Sequence, residues 1–146
     1  MESKKYTMTC KSKLSFESVK VESAKDAFKY ARQLWGSDIY MYESCFILLL
    51  DQGNNIIGWA KISQGGVSLS VFDIKIVAKY AIDTLASGVI LLHNHPSGGL
   101  EPSEHDIKTT NRIKEGLKLL DISVLDHLII TDGGYYSFSE HGRMGY

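Results

Sequence analysis

Two unbroken apolar stretches constrain the fold of this chain more than any other feature. Residues 46–50, preceded by Cys45, and residues 89–92 contain no polar side chain. The first is followed by the turn-forming Asp51-Gln52-Gly53-Asn54-Asn55, and the second is preceded by Gly88. A strand wet on one face alternates apolar and polar residues, so continuous apolarity at strand length predicts a strand covered on both faces. Helices supply that cover in layered folds. Between the two runs, Ile74, Val77, Ala78, Ala81, Ile82 and Leu85 form a stripe at helical spacing over 73–87, with Gly88 as its stop signal.

The remaining elements follow from the same periodicities. Ala24, Ala27, Phe28, Ala31, Leu34 and Trp35 predict a helix from 23 that ends at Gly36, and a further helix is expected over 103–120. Residues 45–50 and 56–62 are expected to pair as a hairpin, followed by a looser stretch around Gly65-Gly66. Strands are expected over 122–131 and 135–139, joined at Gly133-Gly134. This order of strands and helices predicts a layered α/β domain with a mixed sheet. A length of 146 residues suits one domain. Residues 1–22 are set apart as an N-terminal arm, edge strand or partner-binding segment, and 23–146 as the domain proper.

Composition excludes several classes. Hydrophobic residues make up 44% and charged residues 23%, as in ordinary globular chains. The formal charge of −1 lacks the basic excess that phosphate contacts demand of a dedicated nucleic-acid binder. Lys4, Lys5, Lys11, Lys13 and Lys20, and later Lys108, Arg112, Lys114 and Lys118, read as solvated faces. The run 46–50 is too short to span a bilayer, and the polar N-terminus has no apolar core of a signal peptide. Cys10 and Cys45 match no metal or redox spacing, and Cys45 reads as a buried free thiol. A cytoplasmic protein with no membrane partner is expected.

The chemistry concentrates in His93-Asn94-His95-Pro96-Ser97-Gly98-Gly99-Leu100-Glu101-Pro102-Ser103-Glu104-His105-Asp106. It follows a buried strand directly, where ligands sit in such sheets. Side chains two apart on an extended chain share a side, so His93 and His95 can face one ion. Asp106 falls in the first turn of the next helix, and the glycines and prolines let the loop return it to the same point. Two histidines and a carboxylate with an open fourth position form a recognised catalytic zinc arrangement. Ser103 to Asp106 reads equally as a capping box, and the two roles are compatible.

The spacing His-x-His-Pro, six residues, Ser-x-x-Asp resembles the JAMM signature of the JAB/MPN metalloprotease fold. The fuller His-Asn-His-Pro-Ser-Gly with Pro-Ser-x-x-Asp, and Asp126-His127-Leu128-Ile129-Ile130, resemble its RadC-like branch. The resemblance covers about 42–141. It implies a three-layer α/β/α fold like that of cytidine deaminase, and one Zn2+ per chain on His93, His95 and Asp106. It further implies a water as fourth ligand and Glu43 as general base, Glu17 and Glu22 being the other upstream acids. Ser103 matches the serine that hydrogen-bonds the tetrahedral oxyanion, and it reads equally as a helix cap. Asp126 and His127 are either groups that orient the ligands or a satisfied structural pair. His105 and His141 are expected at the surface, and Trp35 and Trp59 in packing.

The activity so implied is zinc-dependent hydrolysis of an amide, in a peptide or isopeptide. Two other functions stand beside it. One is a DNA-associated accessory role, after the DNA-repair association of RadC proteins. Longer members place a helix-hairpin-helix-like domain before the JAB domain, and no room for one is expected here. The other is a non-catalytic JAB scaffold, against which the retained ligands argue. Pairing of edge strands through the arm would be one route to a dimer, and the sequence does not rank dimer over monomer.

Overall fold

The structure is a computed structural model that describes residues 17–65 and 72–145. The expectations attached to Lys4, Lys5, Cys10, Lys11, Lys13 and Gly66 lie outside the described residues. In chain order the elements are α1 (Ala24–Ala31), 3-10 turns at Arg32–Leu34 and Ser37–Tyr40, β1 (Ser44–Leu50) and β2 (Ile56–Gln64). There follow α2 (Ile74–Asp83), β3 (Gly88–Asn94), α3 (Glu104–Lys118), β4 (Ser123–Ile130) and β5 (Tyr135–Ser137).

The strands form one five-stranded sheet in the order β2-β1-β3-β4-β5. β1 runs antiparallel to β2 and β3, β3 parallel to β4, and β4 antiparallel to β5. The sheet is therefore mixed. The two apolar runs became its neighbouring inner strands, β1 and β3, each buried along its whole length. On one face Ile47, Leu49, Val89, Leu91 and Ile129 pack with Val77 and Ala81 of α2 and Ile113 and Leu117 of α3. On the other, Leu48, Leu50, Ile90 and Leu92 pack with Ala27, Tyr30 and Ala31 of α1 and with Trp35 and Ile39. The result is three layers, α/β/α. Each such buried aliphatic side chain contributes about 1.5–3 kcal/mol.

One irregularity sets what β4 presents to the site. Val89 pairs with Val124 and Ile90 with Asp126, which leaves Leu125 as an extra residue. A slip of one residue exchanges the faces of every side chain beyond it. Val124 faces α2 and α3, and past the bulge His127 and Ile129 share that face while Leu128 and Ile130 take the other. Gly88 makes room for the bulge, because a Cβ there would stand 2.8 Å from Leu125 Cδ1.

Gly88 therefore begins β3 instead of stopping α2. The helix ends earlier, with Leu85 in the left-handed region at φ 53°. The Ala86 amide donates to the Ala81 carbonyl at 2.9 Å, the long-range bond of a Schellman closure. The predicted stripe is accordingly too long: Ile82 is exposed and Leu85 is 83% exposed. The first helix is also shorter than its periodicity suggests. After Ala31 the chain tightens into a 3-10 turn that carries Trp35 into the core, with Arg32 Nη1 donating to the Trp35 carbonyl at 2.8 Å. Ahead of α1, the Val21 amide donates to Asn54 and the Ile56 amide to Val19, which lays this segment beside the start of β2.

Candidate metal centre

The alternation of an extended chain decides the directions at the end of β3. His93 and His95 turn toward α2 and α3, and Asn94 turns to the opposite face. The two histidine Nε2 atoms lie 3.0 Å apart. His93 is buried and His95 partly so.

Asp106 arrives from the first turn of α3, and its two expected roles coincide. Ser103 Oγ accepts the Asp106 amide at 3.0 Å, and the Ser103 amide donates to Asp106 Oδ2 at 2.8 Å. Such a cap is worth about 1 kcal/mol, but its larger consequence is to fix the carboxylate's direction. Asp106 Oδ1 stands 3.4 Å from His93 Nε2, and Oδ2 stands 3.4 Å from His95 Nε2. Glu43, just ahead of β1, places Oε1 3.9 Å from His93 Nε2. One donor atom from each of Glu43, His93, His95 and Asp106 lies within 4.8 Å of all the others. Glu17 and Glu22 are exposed and outside this group.

These spacings fit a small divalent ion. Donors about 2.0–2.1 Å from a tetrahedral zinc are roughly 3.3 Å from one another, against 3.0, 3.4 and 3.4 Å here. Imidazole and carboxylate are also the donor types zinc accepts. A cavity of about 10 Å³ opens among Glu43, Cys45, Phe72, His93, Asp106 and His127, on the order of the room one water needs. The electrostatics agree. Burial alone would raise the Asp106 carboxyl, yet contacts with the His93 and His95 rings and the Ser103 amide hold it well below the usual carboxylate range. The Asp106 contact raises the His95 pKa against the opposing effect of burial, and the Gly99 carbonyl adds to the rise.

Asn94 was the unread middle of the His-x-His motif. It is fully buried, and its Oδ1 accepts the Ser44 amide at 2.7 Å. Its Nδ2 donates to the carbonyls of Tyr42 at 2.7 Å and Ile39 at 2.9 Å. Asn94 thus brackets Glu43 on both sides, while the Glu43 carbonyl accepts the Gly65 amide at 2.8 Å. The available signal was its parity: an amide forced into the opposite core must find partners.

Asp126 and His127 part company. His127 is 1% exposed, stacked on Phe138 with ring centroids 4.6 Å apart and set edge-on to Phe72 at 5.4 Å. Its Nε2 lies 2.6 Å from His93 Nδ1, and its Nδ1 lies 2.6 Å from Thr110 Oγ1. Burial holds its pKa well below the ordinary histidine value. Asp126 faces away from this pocket and accepts from the His127 amide, the Ser139 amide and the Ser137 hydroxyl at 2.7, 2.9 and 2.6 Å. It ties β4 to β5 and the following turn. Thr110 went unnoticed in the sequence, although it follows Asp106 by four residues and so shares its helix face.

The other singled-out residues are quieter. Ser103 is exposed at the rim. His105 is exposed and touches the cavity lining, and His141 stacks on Tyr136 at 4.0 Å. Trp35 packs edge-on against Phe46 at 4.7 Å, and Trp59 lies 6.0 Å from the same ring. Cys45 is buried and, among the described residues, forms no disulfide.

Residues 21–143 match the family described as RadC-like JAB domain. A UPF0758 protein of Flavobacterium johnsoniae is 41% identical over 123 residues, covering 84% of this chain and 53% of that protein. One from Porphyromonas gingivalis is 45% identical over 103 residues, 70% of this chain and 45% of its own length. One from Aquifex aeolicus is 32% identical over 124 residues, 85% and 52%. The chain spans about half the length of these relatives. Among the described residues no helix is long and apolar enough to cross a membrane. The match runs from the segment before α1 to beyond β5 and takes in every residue of the candidate metal centre, so the chain belongs to the RadC-like JAB family.

Proposed function

We propose that this chain is a zinc-dependent hydrolase of amide bonds, in peptides or isopeptides. The observation that carries the reading is the convergence of His93, His95 and Asp106, with Glu43 Oε1 3.9 Å from His93 Nε2. His93, His95 and Asp106 would hold the ion. When bound, zinc supplies a Lewis acid that brings the pKa of water down to about 7. Glu43 is placed to take a proton from the attacking water and to return it to the departing nitrogen. The Ser103 hydroxyl accepts the Asp106 amide, and its own proton is free to meet a developing oxyanion. One such donor lowers a barrier by about 3 kcal/mol.

Neither the DNA-associated role nor the scaffold role has a comparable feature in its favour. The net charge of −1 offers no general attraction to phosphate, and a scaffold needs no assembled ligand set. The proposed setting is the cytoplasm, where a cysteine outside any disulfide, as Cys45 is among the described residues, is the ordinary state.

The test is zinc titration into metal-free protein, followed by turnover across peptide and isopeptide substrates, for wild type and Glu43→Gln. The expected result is one zinc per chain in both, with turnover about 10²–10⁴-fold lower in the variant. Failure of the folded wild type to take up zinc, or full activity in Glu43→Gln, would overturn the proposal.

A further inference from the structure

The hydrogen bonds beneath His93 admit only one order of protons. The Thr110 hydroxyl donates to the Asp106 carbonyl at 2.7 Å, four residues back along α3. That donation uses its single proton, so toward His127 Nδ1, 2.6 Å away, it offers a lone pair. His127 Nδ1 therefore carries a hydrogen. The His127 ring is enclosed by Phe72, Phe138 and His93, and its ring nitrogens touch no carboxylate. With one proton on the ring, His127 Nε2 is an acceptor. It lies 2.6 Å from His93 Nδ1, which must then be the donor. The proton of His93 sits on Nδ1, and the lone pair of Nε2 faces His95 Nε2 at 3.0 Å and Asp106 Oδ1 at 3.4 Å.

We infer that Thr110 and His127 form a relay that sets the tautomer of His93 and keeps its Nε2 free for the metal. The inference rests on the metal-centre reading proposed above. His127 is thus a positioning residue and not a fourth ligand, since both its nitrogens are already engaged. The relay begins on the backbone of Asp106 and ends on His93, so it joins the two ligand-bearing elements, α3 and β3. A neutral imidazole also braces His93 without adding a charge to a pocket that already holds Asp106 and Glu43, as a carboxylate would. His95 achieves the same outcome more simply. Its Nδ1 lies 2.9 Å from the Gly99 carbonyl, which can only accept, and its Nε2 is left to the site. Outer partners of this kind typically govern metal affinity by about 10–100-fold.

Two measurements on the full chain test the relay. Long-range proton–nitrogen NMR of the metal-free protein, at a pH where the imidazoles carry one proton, should show the proton of both His93 and His127 on Nδ1. A proton on Nε2 of either ring overturns the inference. Zinc affinity, read by competition with a chelator, should fall about 10–100-fold in His127→Phe and in Thr110→Val, and Thr110→Ser should restore it. Unchanged affinity in folded Thr110→Val overturns the inference too, and this nearly isosteric pair serves even if His127→Phe does not fold. A wild type that binds no zinc but has both protons on Nδ1 would sink the proposed hydrolase and leave the proton order standing.

Discussion

Where β3 and β4 end, the two faces of the sheet treat their polar residues in opposite ways. Toward α2 and α3, His93, His95 and Asp106 turn ring nitrogens and carboxylate oxygens on one another across 3.0 to 3.4 Å. Toward α1, Asn94 commits its amide to Ser44, Tyr42 and Ile39, and Asp126 commits its carboxylate to Ser137, Ser139 and the His127 amide. Buried polar groups are normally satisfied within the protein, because leaving them unpaired costs about 1–3 kcal/mol each. On the α1 side Asn94 and Asp126 follow that rule and serve the fold, while Trp35 Nε1 is, among the described residues, buried there without a partner. On the other face His93, His95, Asp106 and Glu43 gather one donor atom each within 4.8 Å, a geometry that could hold a metal ion.

Substitutions on the two faces should therefore separate metal binding from stability. The largest effect is expected from His95→Ala, which should weaken zinc binding by more than about a thousandfold while the unfolding free energy changes by less than about 1 kcal/mol. Calorimetric titration and denaturant unfolding on the same samples check both halves. Loss of the fold along with the metal would mean that the site is structural and would break the comparison.

Asn94→Ala should do the reverse. It strands the Ser44 amide and the Tyr42 and Ile39 carbonyls, at a cost of about 3 kcal/mol. Zinc should still bind the folded fraction, and turnover should fall because Glu43 loses its bracket. Asp126→Ala should cost about 2 kcal/mol with zinc affinity within about threefold of wild type. A drop as large as that expected for His127→Phe would show that the two faces are coupled.

The smallest effect is the dependence on pH. Asp106 raises the His95 pKa above the ordinary 6.5, and a proton on His95 competes with zinc. Affinity should rise about tenfold per pH unit up to that raised value and flatten beyond it. In metal-free protein the sign reverses. The His95–Asp106 contact stabilises the fold fully below about 6.5, and that contribution is lost as pH rises through the folded-state pKa. Affinity that does not change from below pH 6 to 8 would remove His95 from the ligand set.

The parts of this arrangement legible in the sequence were those carried by local patterns. The runs 46–50 and 89–92 marked the inner strands, and the parity of His93 and His95 with the capping pattern at Ser103 foretold three convergent side chains. What stayed hidden depends on contacts between strands. No local pattern announces the bulge at Leu125, yet it decides that His127 and not Asp126 enters the pocket. The end of α2 was misplaced for a related reason, because Leu85 adopts a left-handed conformation that glycine would have signalled. Thr110 had meaning only once His127 was known to lie beside it.

The most direct test of the central claim is an anomalous difference map at the zinc edge from crystals grown with zinc. The account predicts one peak about 2.0–2.2 Å from His93 Nε2, His95 Nε2 and an Asp106 oxygen, with His127 hydrogen-bonded behind His93 and outside the coordination sphere. No peak at this position, or one that includes His127 as a ligand in place of His93, would contradict it.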